Sequence, residues 1–187
     1  TLESCSFSGY VKGKDNVGGL VGWNGTTGKL INSSASGVIY GESKVGGVAG
    51  ANAGTILRCV NNAQVNTTVE EHKLSFEGLA IEDVRLSKLI LDAADIGGVA
   101  GLNTGVVQNS ENYGTIGYPH VGYNVGGIAG RQSGYLTACV NHGTVYGRKE
   151  VGGIVGQMEP YLSSSIPPSK LRELQTELHN LQSLLTK

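Results

Sequence analysis

Val17-Gly-Gly-Leu-Val-Gly22 decides the fold, because the same pattern returns four more times. The other copies are Val45-Gly-Gly-Val-Ala-Gly50, Ile96-Gly-Gly-Val-Ala-Gly101, Val125-Gly-Gly-Ile-Ala-Gly130 and Val151-Gly-Gly-Ile-Val-Gly156. Their starts lie 28, 51, 29 and 26 residues apart. The 51 is one period enlarged by an insertion of some two dozen residues, about 66–95. A fixed period of this size marks a repeat architecture, in which no single unit buries its own core.

Between hexapeptides a second pattern recurs. Residues 28–39, 54–65, 105–116 and 134–145 each carry Gly, an apolar residue two later, Cys or Ser three beyond that, and a short β-branched close. Residues 1–11 supply the same skeleton once more. A period of 26–29 residues then holds about three short β-prone stretches with Gly- and Asn-rich corners. That is one turn of a β-solenoid; propeller blades and leucine-rich repeats fit the period or the pattern poorly. Each hexapeptide carries a glycine pair: Gly18 and Gly19, Gly46 and Gly47, Gly97 and Gly98, Gly126 and Gly127, Gly152 and Gly153. These pairs are the structural signature of the repeat, expected to supply positive φ at corners and positions without a side chain in a tight interior.

Side-chain alternation places two apolar columns in the hexapeptide. Val17, Val45, Ile96, Val125 and Val151 form one, and Leu20, Val48, Val99, Ile128 and Ile154 the other. A strand apolar on both faces predicts a cover on its outer side. Two segments are candidates for it. In the insertion, Leu86, Leu89, Ile90 and Ala93 have helical spacing, while residues 72–81 alternate more like a strand pair. The domain reading is therefore a solenoid over 1–162, a linker at 163–168, and a helix over 169–187. Pro167 and Pro168 break the chain, Ser169 suits an N-cap, and Leu171, Leu174, Leu178, Leu181 and Leu185 form a heptad seam. Such a helix is marginal alone, so it docks on the solenoid, pairs with another copy, or begins a longer helical stalk.

Composition removes several functional classes. Glycine reaches 30 of 187 residues without a three-residue period, so the chain is not collagen. A hydrophobic fraction of 39% with a net charge of -1 excludes a disordered chain and leaves no basis for general nucleic-acid binding. No run of about 18 apolar residues is present to span a membrane. The abrupt opening at Thr1, without a charged region leading into an apolar core, reads as a mature or excised segment.

Cys5, Ser33, Cys59, Ser110 and Cys139 occupy one repeat position, which predicts three free, buried thiols too far apart to bridge. Asn61, Asn112 and Asn141 share the position two later and form either an inward ladder or corner asparagines bonded to their own backbone, the second being preferred. Asp15, Glu42 and Glu150, beside Lys14, Lys44 and Lys149, read as a solvated edge rather than a catalytic row. His72, His120, His142 and His179 share no metal spacing. The expectation is therefore of no enzyme, no cofactor and no metal. Asn24, Asn32 and Asn66 open glycosylation triplets that matter only in a eukaryotic secretory pathway. Candidate contact residues are Tyr113, Tyr118, His120, Tyr123, Tyr135, His142 and Tyr146, crowded into two periods. Their rings suit glycan or protein recognition, or else plug wide corners near an end of the stack.

Gly19-Leu20-Val21-Gly22, within this repeat, resembles the GLUG motif of bacterial surface proteins. The resemblance covers about residues 1–160; the later copies replace the leucine with Val or Ile. It implies an extracellular or wall-associated bacterial module without catalysis, part of a larger parent protein. Such repeats occur in adhesin-like proteins and in the non-catalytic region of some IgA-cleaving metallopeptidases. Host protein or glycan would be the partner, with helix pairing through 169–187 as a further contact.

Overall fold

The computed structural model describes residues 1–68 and 93–159. They wind as about five turns of an all-β parallel solenoid, and among the described residues there is no helix. In the first turn the strands are Leu2–Glu3, Ser6–Lys12, Asp15–Gly18 and Val21–Asn24, one in each of four sheets, here A to D. Each strand pairs in parallel with its counterpart one turn away, so like positions stack. The column Val17, Val45, Ile96, Val125, Val151 is continuous in register. The proposed helix over 169–187 and the conformation of residues 69–92 lie outside the described residues.

The circuit has four sides where the period suggests about three. The hexapeptide bends at its centre: sheet C ends at Gly18, Gly19 and Leu20 turn the chain, and sheet D begins at Val21. The bend changes the meaning of the two apolar columns. Val17, Val45, Ile96 and Val125 pack with Ile39, Val65 and Ile116 in one core, between sheets C and B. Val48, Val99 and Ile128 pack with Leu30, Ile56 and Val107 in a second, between D and A. Both columns therefore point inward, and the outer cover expected over a straight strand is unnecessary.

Glycine makes this possible. A Cβ at Gly50 would run into the backbone of Asn16 and Val17, and one at Gly18 into that of Val21, Ala49 and Gly50. The first glycine of the pair meets the same obstacle in later turns: Gly46 faces the Ala49 carbonyl, Gly97 that of Ala100, Gly126 that of Ala129 and Gly152 that of Val155. Sheets C and D thus lie back to back in direct backbone contact, with one core on each flank. The second glycine forms the tip of this wedge, which presses on sheet B. Gly47 abuts the Asn61 amide, Gly127 that of Asn141, and a Cβ at Gly98 would lie 2.5 Å from Cγ of Asn112. In the first turn Gly19 faces Ala35 instead, and Gly153 in the last turn faces open space. The pairs therefore serve tight contacts, with that one end position excepted. None of them adopts the positive φ expected of corner glycines, because the bend is made in ordinary backbone conformations and the space for a side chain is what is missing.

The A-to-B corner repeats without variation. Ser4, Asn32, Arg58, Asn109 and Ala138 all adopt φ of 49–52°, a left-handed conformation that non-glycine residues rarely take. The next residue compensates by bonding across it. Ser33 Oγ donates to the Ile31 carbonyl at 2.7 Å, Ser110 Oγ to that of Gln108 at 3.0 Å, and Cys139 Sγ to that of Thr137 at 3.3 Å. This is the Cys/Ser column. Its three thiols are free, but only Cys59 is buried; Cys139 is half-buried and Cys5 exposed, because they stand in the last and first turns. Burial pushes the Cys59 and Cys139 thiols above their ordinary pKa, only partly offset by backbone hydrogen bonds.

Two buried amide ladders run along the stack. Asn61 Nδ2 donates to Asn112 Oδ1 and Asn112 Nδ2 to Asn141 Oδ1, each at 2.7 Å. These side chains also bond their own backbone two residues on, as in Asn61 Nδ2 to the Ala63 carbonyl, so ladder and corner role coexist. The second ladder, Asn24 to Asn52 to Asn103 to Gln132, has donor–acceptor distances of 2.7, 2.7 and 2.9 Å. Asn24 and Asn66 are accordingly buried and engaged, unlike exposed Asn32, and neither is placed to carry a glycan.

Candidate functional site: the corner between sheets B and C

Three corners of each circuit are short and nearly constant; the fourth varies. Register defines it as the segment between the column Val11, Ile39, Val65, Ile116, Val145 and the column Asp15, Ser43, Ala94, Tyr123, Lys149. Residues 12–14, 40–42 and 146–148 are three-residue links in turns one, two and five. Turn four uses the longer 117–122, and turn three carries 66–93. The insertion leaves and re-enters at one place. Asn66, buried with φ of 51°, exchanges two hydrogen bonds with the Gly41 backbone, and the Ala94 N–H donates to the Glu42 carbonyl.

The strand Ala94–Gly97 corrects the inner limit of the insertion. Asp95 belongs to the solenoid: its carboxylate is buried and accepts from Arg131 Nη2 and Asn124 Nδ2, both at 2.8 Å. It thereby ties sheet C of one turn to sheet D of the next.

Among the links of the variable corner that are described in full, 117–122 is the longest. Positive φ at Gly117, His120 and Gly122, with a bridge from Tyr118 to Val121, shapes it as a tight turn that lifts Tyr118 and His120 into solvent. Tyr146 lies one turn on, its N–H donating to the Ile116 carbonyl. Arg148 stands 5.8 Å from the centre of the Tyr123 ring, and Lys12 5.5 Å from that of Tyr40. The charged residues are solvated: Lys14 meets Glu42 at 3.7 Å and Lys149 meets Glu150 at 3.1 Å. Such exposed pairs stabilise little, which agrees with their reading as an edge.

Tyr113 lies on the adjoining outer face of sheet B, stacked on His142 of the next turn with centroids 4.5 Å apart. Its hydroxyl donates to Glu111 Oε2 at 2.6 Å, and that bond holds the phenol above its ordinary pKa. His142 Nε2 is 3.9 Å from the same carboxylate oxygen. The corner and this face bring together Tyr113, Tyr118, His120, Tyr123, His142 and Tyr146. Tyr135 is apart from them, on sheet A, where it lines a cleft at the last turn. Tyr113, Tyr118, Tyr135, Tyr146, His120 and His142 are exposed, whereas Tyr123 is half-buried. Tyr10, Trp23 and Tyr40 escape a reading of the sequence, because single rings in the early turns form no cluster in the chain. Among the described residues, no three of His, Cys, Asp and Glu are grouped as metal ligands.

No curated protein and no solved structure matches the chain. The sequence model of one family, described as the GLUG motif, matches residues 15–40. This span runs from the start of Asp15–Gly18 to the end of Ser34–Tyr40, one complete circuit through sheets C, D, A and B. The unit of the repeat is therefore the unit of the winding, and residues 15–40 of this solenoid match the GLUG motif.

Proposed function

We propose that the chain is a non-catalytic repeat module of a bacterial surface or secreted protein, which holds the corner between sheets B and C rigidly toward a protein or glycan. The observation that carries this reading is the concentration of loop-length variation, and of most of the clustered rings, at one corner of a stack whose other links differ by two residues at most. Repeat proteins place their insertions on the face that binds, since loops there change without disturbing the stack. The extracellular bacterial setting rests on the GLUG motif and on what its resemblance implies.

Glycan is the ligand class favoured by one further feature, the exposed Tyr113–His142 stack beside the corner. Stacked rings offer the flat apolar face that a sugar ring needs, with Glu111 as a neighbouring hydrogen-bond acceptor. A glycan array followed by affinity electrophoresis tests the reading. Binding that disappears in Tyr118→Ala/Tyr123→Ala, with circular dichroism unchanged, supports the corner; binding that persists removes it. Loss in Tyr113→Ala alone would place the contact on the sheet B face.

A further inference from the structure

The two ends of the stack differ. In the first turn, Phe7 stands in the column of Ala35, Asn61, Asn112 and Asn141 as a half-buried bulky plug, its ring against Gly9, and Val17 is already buried. Among the described residues the last turn has no such plug. Val151 and Ile154 are 45% and 39% exposed, whereas Val125 and Ile128, one turn inward, are fully buried. The space around Gly153 is open, although a Cβ at Gly127 would strike its carbonyl. A cleft of about 620 Å³ opens here, lined by Gln132, Tyr135, Leu136, Ile154, Val155 and Met158. A solenoid whose end leaves its core columns bare requires a cap.

We infer that the segment 169–187 of the same chain, which carries Leu171, Leu174, Leu178, Leu181 and Leu185, is the cap that covers Val151, Ile154 and the cleft. The chain leaves the solenoid at that face. The Glu159 N–H donates to the Gln132 carbonyl at 2.8 Å, and the Glu159 carboxylate lies 4.0 Å from the Arg131 guanidinium. From there to Leu171 the intervening residues reach up to about 35 Å when extended, ample to cross the end of a small solenoid. The seam has one apolar side to bury, and the nearest bare apolar surface is the turn from which the segment departs.

Amide hydrogen exchange on the full chain tests the cap, with sedimentation to report its oligomeric state. In Leu174→Ser/Leu178→Ser/Leu181→Ser, amides of Lys149–Gly152 and Val155–Met158 should exchange at least about tenfold faster, while those of Ala49–Asn52 and Ala100–Asn103 keep their rates and the chain stays monomeric. In the reciprocal variant Ile154→Ser, amides over 171–185 should lose protection in turn. Unchanged last-turn rates in the triple variant would overturn the inference. So would tail protection that survives Ile154→Ser, or last-turn protection in the unaltered chain that grows with concentration, the mark of a second copy.

Discussion

Position within a column decides what a substitution does, and glycine shows this best. Gly98 and Gly153 hold the same place in the hexapeptide, yet a Cβ at Gly98 would meet Asn112 and Gly127 while one at Gly153 would meet nothing within 4 Å. Urea unfolding should therefore show Gly98→Ala losing about 3 kcal/mol or failing to fold, and Gly153→Ala changing stability by under about 0.5 kcal/mol. Cys59 offers a pH test. Its thiol pKa is raised by burial, so the unfolded chain releases that proton first as pH climbs. The contribution of Cys59 is intact below the ordinary thiol range and is lost as pH rises through and beyond it. Cys59→Ser should flatten this alkaline decline at little cost, because Ser33 and Ser110 already make the same bond in the same column. Thermal melts from neutral pH into the alkaline range would show it. Thiol labelling should proceed first at exposed Cys5 and last at Cys59.

At the scale of the element, the ladders and the variable corner make opposite demands. Asn103 receives from Asn52 and donates to Gln132, all three buried. Asn103→Ala would strand a donor on one neighbour and an acceptor on the other, and should lower stability by about 2–3 kcal/mol in chemical denaturation. The corner should tolerate far more. Deleting residues 68–92 leaves 66, 67 and 93 between Val65 and Ala94, a link equal in length to residues 40–42 of the turn below. The shortened chain is expected to keep its β circular dichroism and a cooperative melt.

These elements also show what the sequence could disclose. The period, the parallel stacking and the shared Cys/Ser column are legible because identical positions recur at one spacing. The fourth side is not, since alternation assumes a straight strand and the bend falls inside the most regular stretch. The Asn24 ladder leaves a signal two residues after each of the first four hexapeptides, at Asn24, Asn52, Asn103 and Gln132, which the louder glycine pattern hides. Asp95 falls with the insertion on its charge; only its partner Arg131, from the following turn, reveals it as structural. The corner's tyrosines are visible as a cluster, but Tyr135 joins them by proximity in the chain and not in space.

For the whole molecule, the dominant fact is that interturn hydrogen bonds lie along the stacking axis. Tension applied between the two ends would load those bonds one circuit at a time, as in unzipping, instead of shearing many strands together. Stretching a tethered chain should then give a series of low-force releases. An ordinary circuit of 26–29 residues releases about 90–100 Å of extended backbone, and the circuit from Val45 to Ile96 nearly twice that. A wound body of this kind would act as a yielding tether, lengthening in steps while the remaining coils keep their shape.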